Sequence, residues 1–288
     1  MLRRLKAFVF TAAVALTATA FGQTVGNLAT VEGTVAINAA SSTQANIQTN
    51  SGPIVSAIIS APGTVNGVTY SSYAFLVNDG TGSCEVYAGS SSFPLKYSAA
   101  QGGGNYSPTV GDSIDVLASY EPYHQISEIE GTTLSPVSKT TVVTLNSQGN
   151  TPASPITPTI ASLTNLTVLP LNVAGYEMTF NDVTISGLSA TFGATNQTGA
   201  ITDSLGNAMT LYYWPTSYSK ANQNFYGLSV PSTPVDLTGF VSIYPGTGDT
   251  PEFTPISMTA YVAPVPEPAS LGLLGIGAMA MLLRRRSR

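Results

Sequence analysis

Apolar and polar residues alternate with a period of two along several short stretches of this chain, and no apolar stripe of helical period runs far. Gly111-Asp112-Ser113-Ile114-Asp115-Val116-Leu117-Ala118-Ser119-Tyr120 has a counterpart in Val235-Asp236-Leu237-Thr238-Gly239-Phe240-Val241-Ser242-Ile243-Tyr244. Another pattern also occurs twice. Tyr73 to Asn78 passes through Asp79-Gly80-Thr81-Gly82 into Ser83 to Tyr87, and Gly199 to Thr202 passes through Asp203-Ser204-Leu205-Gly206 into Asn207 to Tyr212. Each reads as a strand, an Asp-x-x-Gly turn and a strand ending on aromatics. The Asp side chain accepts backbone N–H bonds across such a turn, and Gly takes the positive φ. Each half also opens on a strand-like segment (Thr30–Ile37, Gly175–Ile185) and closes on another (Gln125–Leu134, Phe253–Tyr261). The pattern predicts two β domains, residues 23–145 and 159–263. They are joined at 146–158 by a polar stretch with Pro152, Pro155 and Pro158, an extended spacer.

Five strands with a long insertion between the third and fourth resemble the OB-fold, a five-stranded Greek-key barrel. Phe75-Leu76-Val77-Asn78-Asp79-Gly80-Thr81-Gly82 followed by Val110-Gly111-Asp112 is similar to secreted bacterial OB-fold domains. The resemblance implies a small helix in the insertion. Ser98–Ser107 and Thr216–Tyr226 occupy that place and are too rich in Gly, Asn and Ser to favour one. Paired immunoglobulin-like sandwiches would need seven strands apiece, which neither half supplies. The expected fold class is all-β: two tandem five-stranded OB-like barrels between an N-terminal signal peptide and a short C-terminal hydrophobic sorting helix.

Both ends read as processing segments. Arg3, Arg4 and Lys6 precede an apolar stretch, Ala7 to Ala20, and small residues follow, so residues 1–22 are expected to be a secretory signal peptide. At the other end, residues 264–288, Val265-Pro266-Glu267-Pro268 leads into apolar Leu271 to Leu283 and then Arg284-Arg285-Arg286-Ser287-Arg288. As a helix this run would span about 20 Å, short of a ~30 Å hydrocarbon core. It suits transient membrane insertion with the arginines on the cytoplasmic side. Its order resembles the PEP-CTERM sorting signal. That resemblance implies an exosortase-like enzyme as partner, cutting near Pro266-Glu267-Pro268, and a cell-surface or extracellular destination in an exopolysaccharide setting.

Charge alters the picture once these ends are set aside. Seven of the ten basic residues lie in them, which leaves Lys96, Lys139 and Lys220 against fourteen carboxylates in residues 24–263. Such a surface repels phosphate backbones and argues against nucleic acid as a partner. Cys84, the single cysteine, offers no internal disulfide and is expected to be a small buried strand residue.

Catalytic chemistry is sparse. His124, the one histidine, sits between two strand patterns with Glu128 and Glu130 shortly after it, and no nucleophile motif accompanies it. It is expected to be an exposed loop residue. Asp112/Asp115 and Glu128/Glu130 are carboxylate pairs of the type glycosidases use, yet such neighbours are common on an acidic surface. The Asp79 turn and Gly246 to Glu252 are oxygen-rich but lack the ligand count of a calcium loop. No metal, cofactor or enzymatic activity is therefore expected. Aromatics are the best binding feature: Tyr212, Tyr213, Trp214 and Tyr218 fall close together, and flat amphipathic rings suit sugar faces. Tyr213, Trp214 and Tyr218 are the candidate ligand-binding residues, with Tyr212 and Trp214 turned inward as the competing arrangement. The expected function is a non-catalytic structural role in the exopolysaccharide layer. The alternatives are a carbohydrate-binding module reading through these aromatics, and a secreted hydrolase using His124 with Glu128.

Overall fold

The computed structural model describes residues 23–36, 44–88, 94–131, 139–164, 166, 168–170, 173–215, 220–243 and 250–260. The expected signal peptide and the sorting segment lie outside the described residues, as does Tyr218. Among the described residues no helix is long and apolar enough to cross a membrane.

The first half runs β1 (Thr24–Gly26), helix α1 (Leu28–Glu32), β2 (Ala45–Thr49), β3 (Ile54–Ser60), β4 (Gly63–Val65), β5 (Val68–Tyr70) and β6 (Tyr73–Asn78). It continues through β7 (Ser83–Ala88), β8 (Leu95–Tyr97), β9 (Ser113–Tyr123), β10 (Ile126–Glu130) and β11 (Thr141–Ser147). Strands β3, β6, β7, β10 and β9 are neighbours in that order, with β7 and β10 parallel and the other pairs antiparallel. β9 meets β3 again at Ser113 and Ile54, where Gly111 N–H donates to Val55 O (2.9 Å) and Val55 N–H to Asp112 O (2.8 Å). Inward residues alternate as the strand period requires: Phe75 and Val77, Cys84 and Val86, and Ile114, Val116, Ala118 and Tyr120 are all fully buried in one core.

Helix α1 overturns the expected opening strand at Thr30–Ile37. The Asn27 side chain accepts the Thr30 N–H at 3.0 Å and caps a short helix, whose Leu28 and Val31 enter the core three residues apart. The strand that opens the sheet circuit is β3, downstream of the segment expected to open it. The Asp79 turn forms as expected, Oδ1 accepting from Thr81 N (2.9 Å) and Gly82 N (3.1 Å). Its left-handed residue, however, is Gly80 (φ 83°) rather than Gly82. Gly82 is needed for space, since a Cβ there would meet the Glu32 carboxylate at 2.7 Å.

The second half is a closed barrel of β12 (Met178–Ser186), β13 (Gln197–Thr202), β14 (Ala208–Tyr213), β15 (Val235–Ile243) and β16 (Pro251–Ala260). Its strand order is β12-β13-β14-β16-β15, and β15 pairs back to β12. Met178, Phe180, Ile201, Leu211, Leu237, Val241 and Phe253 fill it. At Gly239 the β15–β16 register shifts, and a Cβ would lie 2.1 Å from Thr254 O, so the barrel turns this corner only with glycine. Among the described residues of the insertions, those judged poor helix formers make single 3₁₀ segments, Ala99–Gln101 and Lys220–Phe225. The proline-bearing stretch is not a free spacer along its whole length, because Ile156 bridges to Met178.

The outer face of the first half carries the apolar residues that join the halves. Ala57, Ile59, Ala74, Leu76 and Ile126 form one buried cluster with Phe240 of the second half, and Ile256 packs against it. Hydrogen bonds flank this seam. Ile243 N–H donates to His124 O (2.9 Å), Leu169 N–H to Gln125 Oε1 (2.8 Å) and Ser83 Oγ to Gly175 O (2.8 Å). The β4–β5 hairpin reaches across as well: Tyr70 OH donates to Pro215 O and Asn66 Nδ2 to Gln223 Oε1 (2.9 Å).

Truncating the central seam residue, Phe240→Ala, is expected to cost about 3–5 kcal/mol, read from urea unfolding. Cys84, fully buried with its thiol pushed up by burial and by Glu32, should resist a thiol reagent until the fold opens. Labelling at the full rate of a free thiol in native buffer would contradict that burial.

Candidate functional site

Beside the apolar seam the two halves part to leave a cleft of about 470 Å³, lined by Ser71, Ser72, Tyr87, Glu121, Tyr123, Glu128, Glu130 and Trp214. Strand alternation builds its acidic wall. Ser127 and Ile129 turn into the first core, so Ile126, Glu128 and Glu130 face outward; on β7, Cys84 and Val86 turn in, so Glu85 and Tyr87 face outward. Register does the rest. Glu128 stands opposite Glu121 on β9 and opposite Glu85 on β7, which brings three carboxyl side chains side by side across three strands.

Glu85 is fully buried, and Glu121 and Glu128 are nearly so. Burial pushes the Glu128 carboxyl well above the ordinary carboxylate range, and Glu85, Glu130 and Glu121 add to the rise. Glu130 is pushed up to about 8 by burial and by Glu121, with which it shares a hydrogen bond. Gln44 Nε2 donates to Glu121 Oε2. Among the described residues no lysine or arginine lines the cleft. No group of three or more His, Cys, Asp or Glu among them is arranged to hold a metal ion.

The second half contributes Trp214 to the cleft, and the phase of the strand that leads into it is the reverse of the one expected. Along β14 the buried positions are Met209, Leu211 and Tyr213, so Tyr213 points into the second half. There it packs beside Phe192 and Phe225, and its hydroxyl donates to Gly193 O at 2.9 Å. Tyr213 is thus removed from the candidate groove, because the barrel needs its ring as filling. Tyr212 and Trp214 take the other face, ring centroids 5.4 Å apart, and Trp214 is half-buried where the cleft opens. The Trp214 main-chain N–H donates to Asn222 Oδ1 (2.5 Å), while Asn222 Nδ2 donates to Pro255 O, which ties the tryptophan to β16.

His124 is not the exposed loop residue expected. It and Gln125 form the two-residue β9–β10 turn, both at positive φ (50° and 57°), and His124 is half-buried with its ring 3.9 Å from that of Tyr123. It lines a smaller hollow with Ile126, Tyr212, Trp214, Phe240 and Glu252, next to the acidic cleft. Glu128 lies in the larger cleft, so the pairing a hydrolase would use is divided between two hollows. Asp112 and Asp115 are elsewhere and serve the fold: Asp112 accepts from Tyr106 OH (2.7 Å) and Thr109 N–H (3.1 Å), and Asp115 accepts from Gly52 N–H (3.0 Å) and Asn146 Nδ2 (3.0 Å). The sequence pattern marked Glu128 and Glu130 as one face. It could not name Glu85, Glu121 or Tyr123 as their neighbours, since those come from strands set beside β10 by register.

Comparison with known proteins bears on the C-terminus. Residues 264–286 match the PEP-CTERM protein-sorting motif, which supports export through an exosortase-type system and a cell-surface or extracellular location. No curated protein matches the chain. Solved structures with distant likeness include a murine DNA binding protein bound with double-stranded DNA, at 12% identity, TM-score 0.35, over 73% of this chain and 99% of that one. Another is the tetrameric p202 HIN2, at 10% identity, TM-score 0.33, over 75% of this chain and 92% of that one. A likeness at this level carries no argument.

The raised carboxyls set the sign of the pH response. Glu32 (about 8), Glu130 (about 8) and Glu177 (about 7) hold protons in the folded state that the unfolded chain releases near the ordinary value of 4.5. Their contribution is fully present below the unfolded value and is lost as pH rises through the folded one. Stability should therefore fall steadily between pH 4.5 and about 8, and Glu130→Gln should flatten that slope in thermal melts across pH. A slope of opposite sign would show that these carboxyls are ionised in the fold.

Proposed function

We propose that this is an exported, non-catalytic component of the extracellular polysaccharide layer, and that it holds polysaccharide in the cleft between its halves. The observation that carries this reading is Trp214, half-buried and lining one cleft with Tyr87, Tyr123 and the carboxyls of Glu121, Glu128 and Glu130. Rings present flat faces for sugar C–H groups, and the carboxyls and serines supply directed hydrogen bonds. A purely structural role would leave Trp214 as core filling; the lining favours the binding alternative among the expected roles. The excess of acidic over basic residues speaks against nucleic acid.

In this reading the signal peptide directs export, the C-terminal apolar segment inserts transiently, and an exosortase-like enzyme cuts near Pro266-Glu267-Pro268. Both halves are OB-like barrels. The circuit β3-β6-β7-β10-β9 with the β9–β3 contact supports this for the first half, because it repeats the order of the closed barrel in the second.

One tryptophan makes the test direct. Titrating the full-length protein with the producing cell's exopolysaccharide should shift Trp214 emission saturably. Trp214→Ala should lower affinity, measured by calorimetry, about tenfold or more while the fold persists, a loss of roughly 1.4 kcal/mol or more. Emission that no glycan moves and no quencher reaches would sink the reading and leave a structural protein.

A further inference from the structure

Ionised without a counter-charge, the acidic wall would be costly. Like-charged side chains directly opposite one another across a ladder destabilise it, and a buried carboxylate without a counter-charge costs several kcal/mol. Glu128 is only 5% exposed and lines the cleft. The groups that act on it electrostatically are other carboxyls, Glu85, Glu130 and Glu121. Facing it are Glu85 and Tyr87 from β7, Glu121 and Tyr123 from β9, Glu130 on its own strand and Trp214 from the second half. Each of these is acidic or aromatic. Metal coordination does not account for the set, because no three of these carboxyls are arranged to hold an ion.

Carboxyls that share a cleft with a tryptophan and two tyrosines form an environment suited to an organic cation. The ring quadrupole attracts a cation within about 6 Å, most strongly over tryptophan. The carboxyls supply charge-assisted acceptors for its N–H groups. We infer that the cleft selects sugars carrying a protonated amine, with Glu121, Glu128 and Glu130 as the specificity-determining residues and Trp214 as the stacking platform. The inference rests on the polysaccharide reading above and narrows it to amino sugars without N-acetyl groups. A neutral sugar would leave Glu128 protonated, and a uronic acid, itself an anion, would disfavour its ionisation further. An incoming ammonium would favour the ionised carboxyls, so binding releases protons from the Glu128–Glu130 pair.

The test measures Trp214 emission and binding heat for the full-length protein with four probes: glucosamine hexamer, N-acetylglucosamine hexamer, a neutral glucose hexamer and polygalacturonate. At about pH 6.5, where an amine with an ordinary pKa near 8 stays charged, the glucosamine hexamer should bind at least ~10-fold tighter than the others, or about 1.4 kcal/mol. Its heat should vary with the ionisation enthalpy of the buffer. The isosteric pair Glu128→Gln and Glu130→Gln should erase that preference, bringing the glucosamine hexamer to the affinity of the neutral hexamer. Equal affinity for all three hexamers would overturn the amine selectivity and leave the polysaccharide reading standing. Tightest binding of polygalacturonate would overturn the selectivity as well. Silence from every probe and from the cell's own exopolysaccharide would remove both.

Discussion

The apolar seam between the halves is the contact on which the candidate site depends. Ala57, Ile59, Ala74, Leu76 and Ile126 lie on the outward face of a sheet whose inward face already has a core. Left open, that face would be a contiguous apolar surface of the kind that soluble proteins cover. Phe240 and Ile256 cover it, and their packing sets the distance between the two halves. Polar contacts then fix the angle. The Tyr70 hydroxyl donates to Pro215 O and the Ile243 N–H to His124 O, and neither pairing survives a slip of one half past the other.

Along the same outer face, apolar residues give way to carboxyls. Ile126 belongs to the seam, while Glu128 and Glu130, two and four residues along the strand, belong to the cleft. One strand therefore supplies both the contact that holds the halves together and the charge that lines the space beside it. Buried acids with their pKa values raised cluster at functional sites more often than chance allows. Glu32 shows the structural version of the same effect. It is also pushed up to about 8, yet it accepts the Ser83 N–H at 3.0 Å and the Cys84 thiol at 3.4 Å, and it closes the end of the first core. Glu128 instead faces Glu85 and Glu121 across the ladder and lines the cleft, and that difference separates a strut from a site.

The repeated hairpins at Asp79 and Asp203 were legible because the turn chemistry is local: an acceptor side chain and a glycine within four residues determine them. The 3₁₀ segments in place of helices followed from local composition in the same way. Helix α1 was not legible. Thr30 to Ile37 is β-branched and alternates like a strand, and only the Asn27 cap together with the demand for Leu28 and Val31 to fill one end of the core makes the preceding turn helical. Tyr213 failed for a related reason. Tyr212, Tyr213 and Trp214 are all aromatic, so alternation alone cannot say which phase faces the core.

By itself the sequence determined the all-β character, the paired hairpins, the acidic surface and the sorting motif at residues 264–286, because each rests on residues close together in the chain or on composition. Tertiary structure alone decided which aromatic lines a cleft, which carboxyls meet, and that His124 and Glu128 line different hollows. Those outcomes depend on strand register and on the docking of two halves. A shift of one residue in register would turn every one of these side chains to the opposite face.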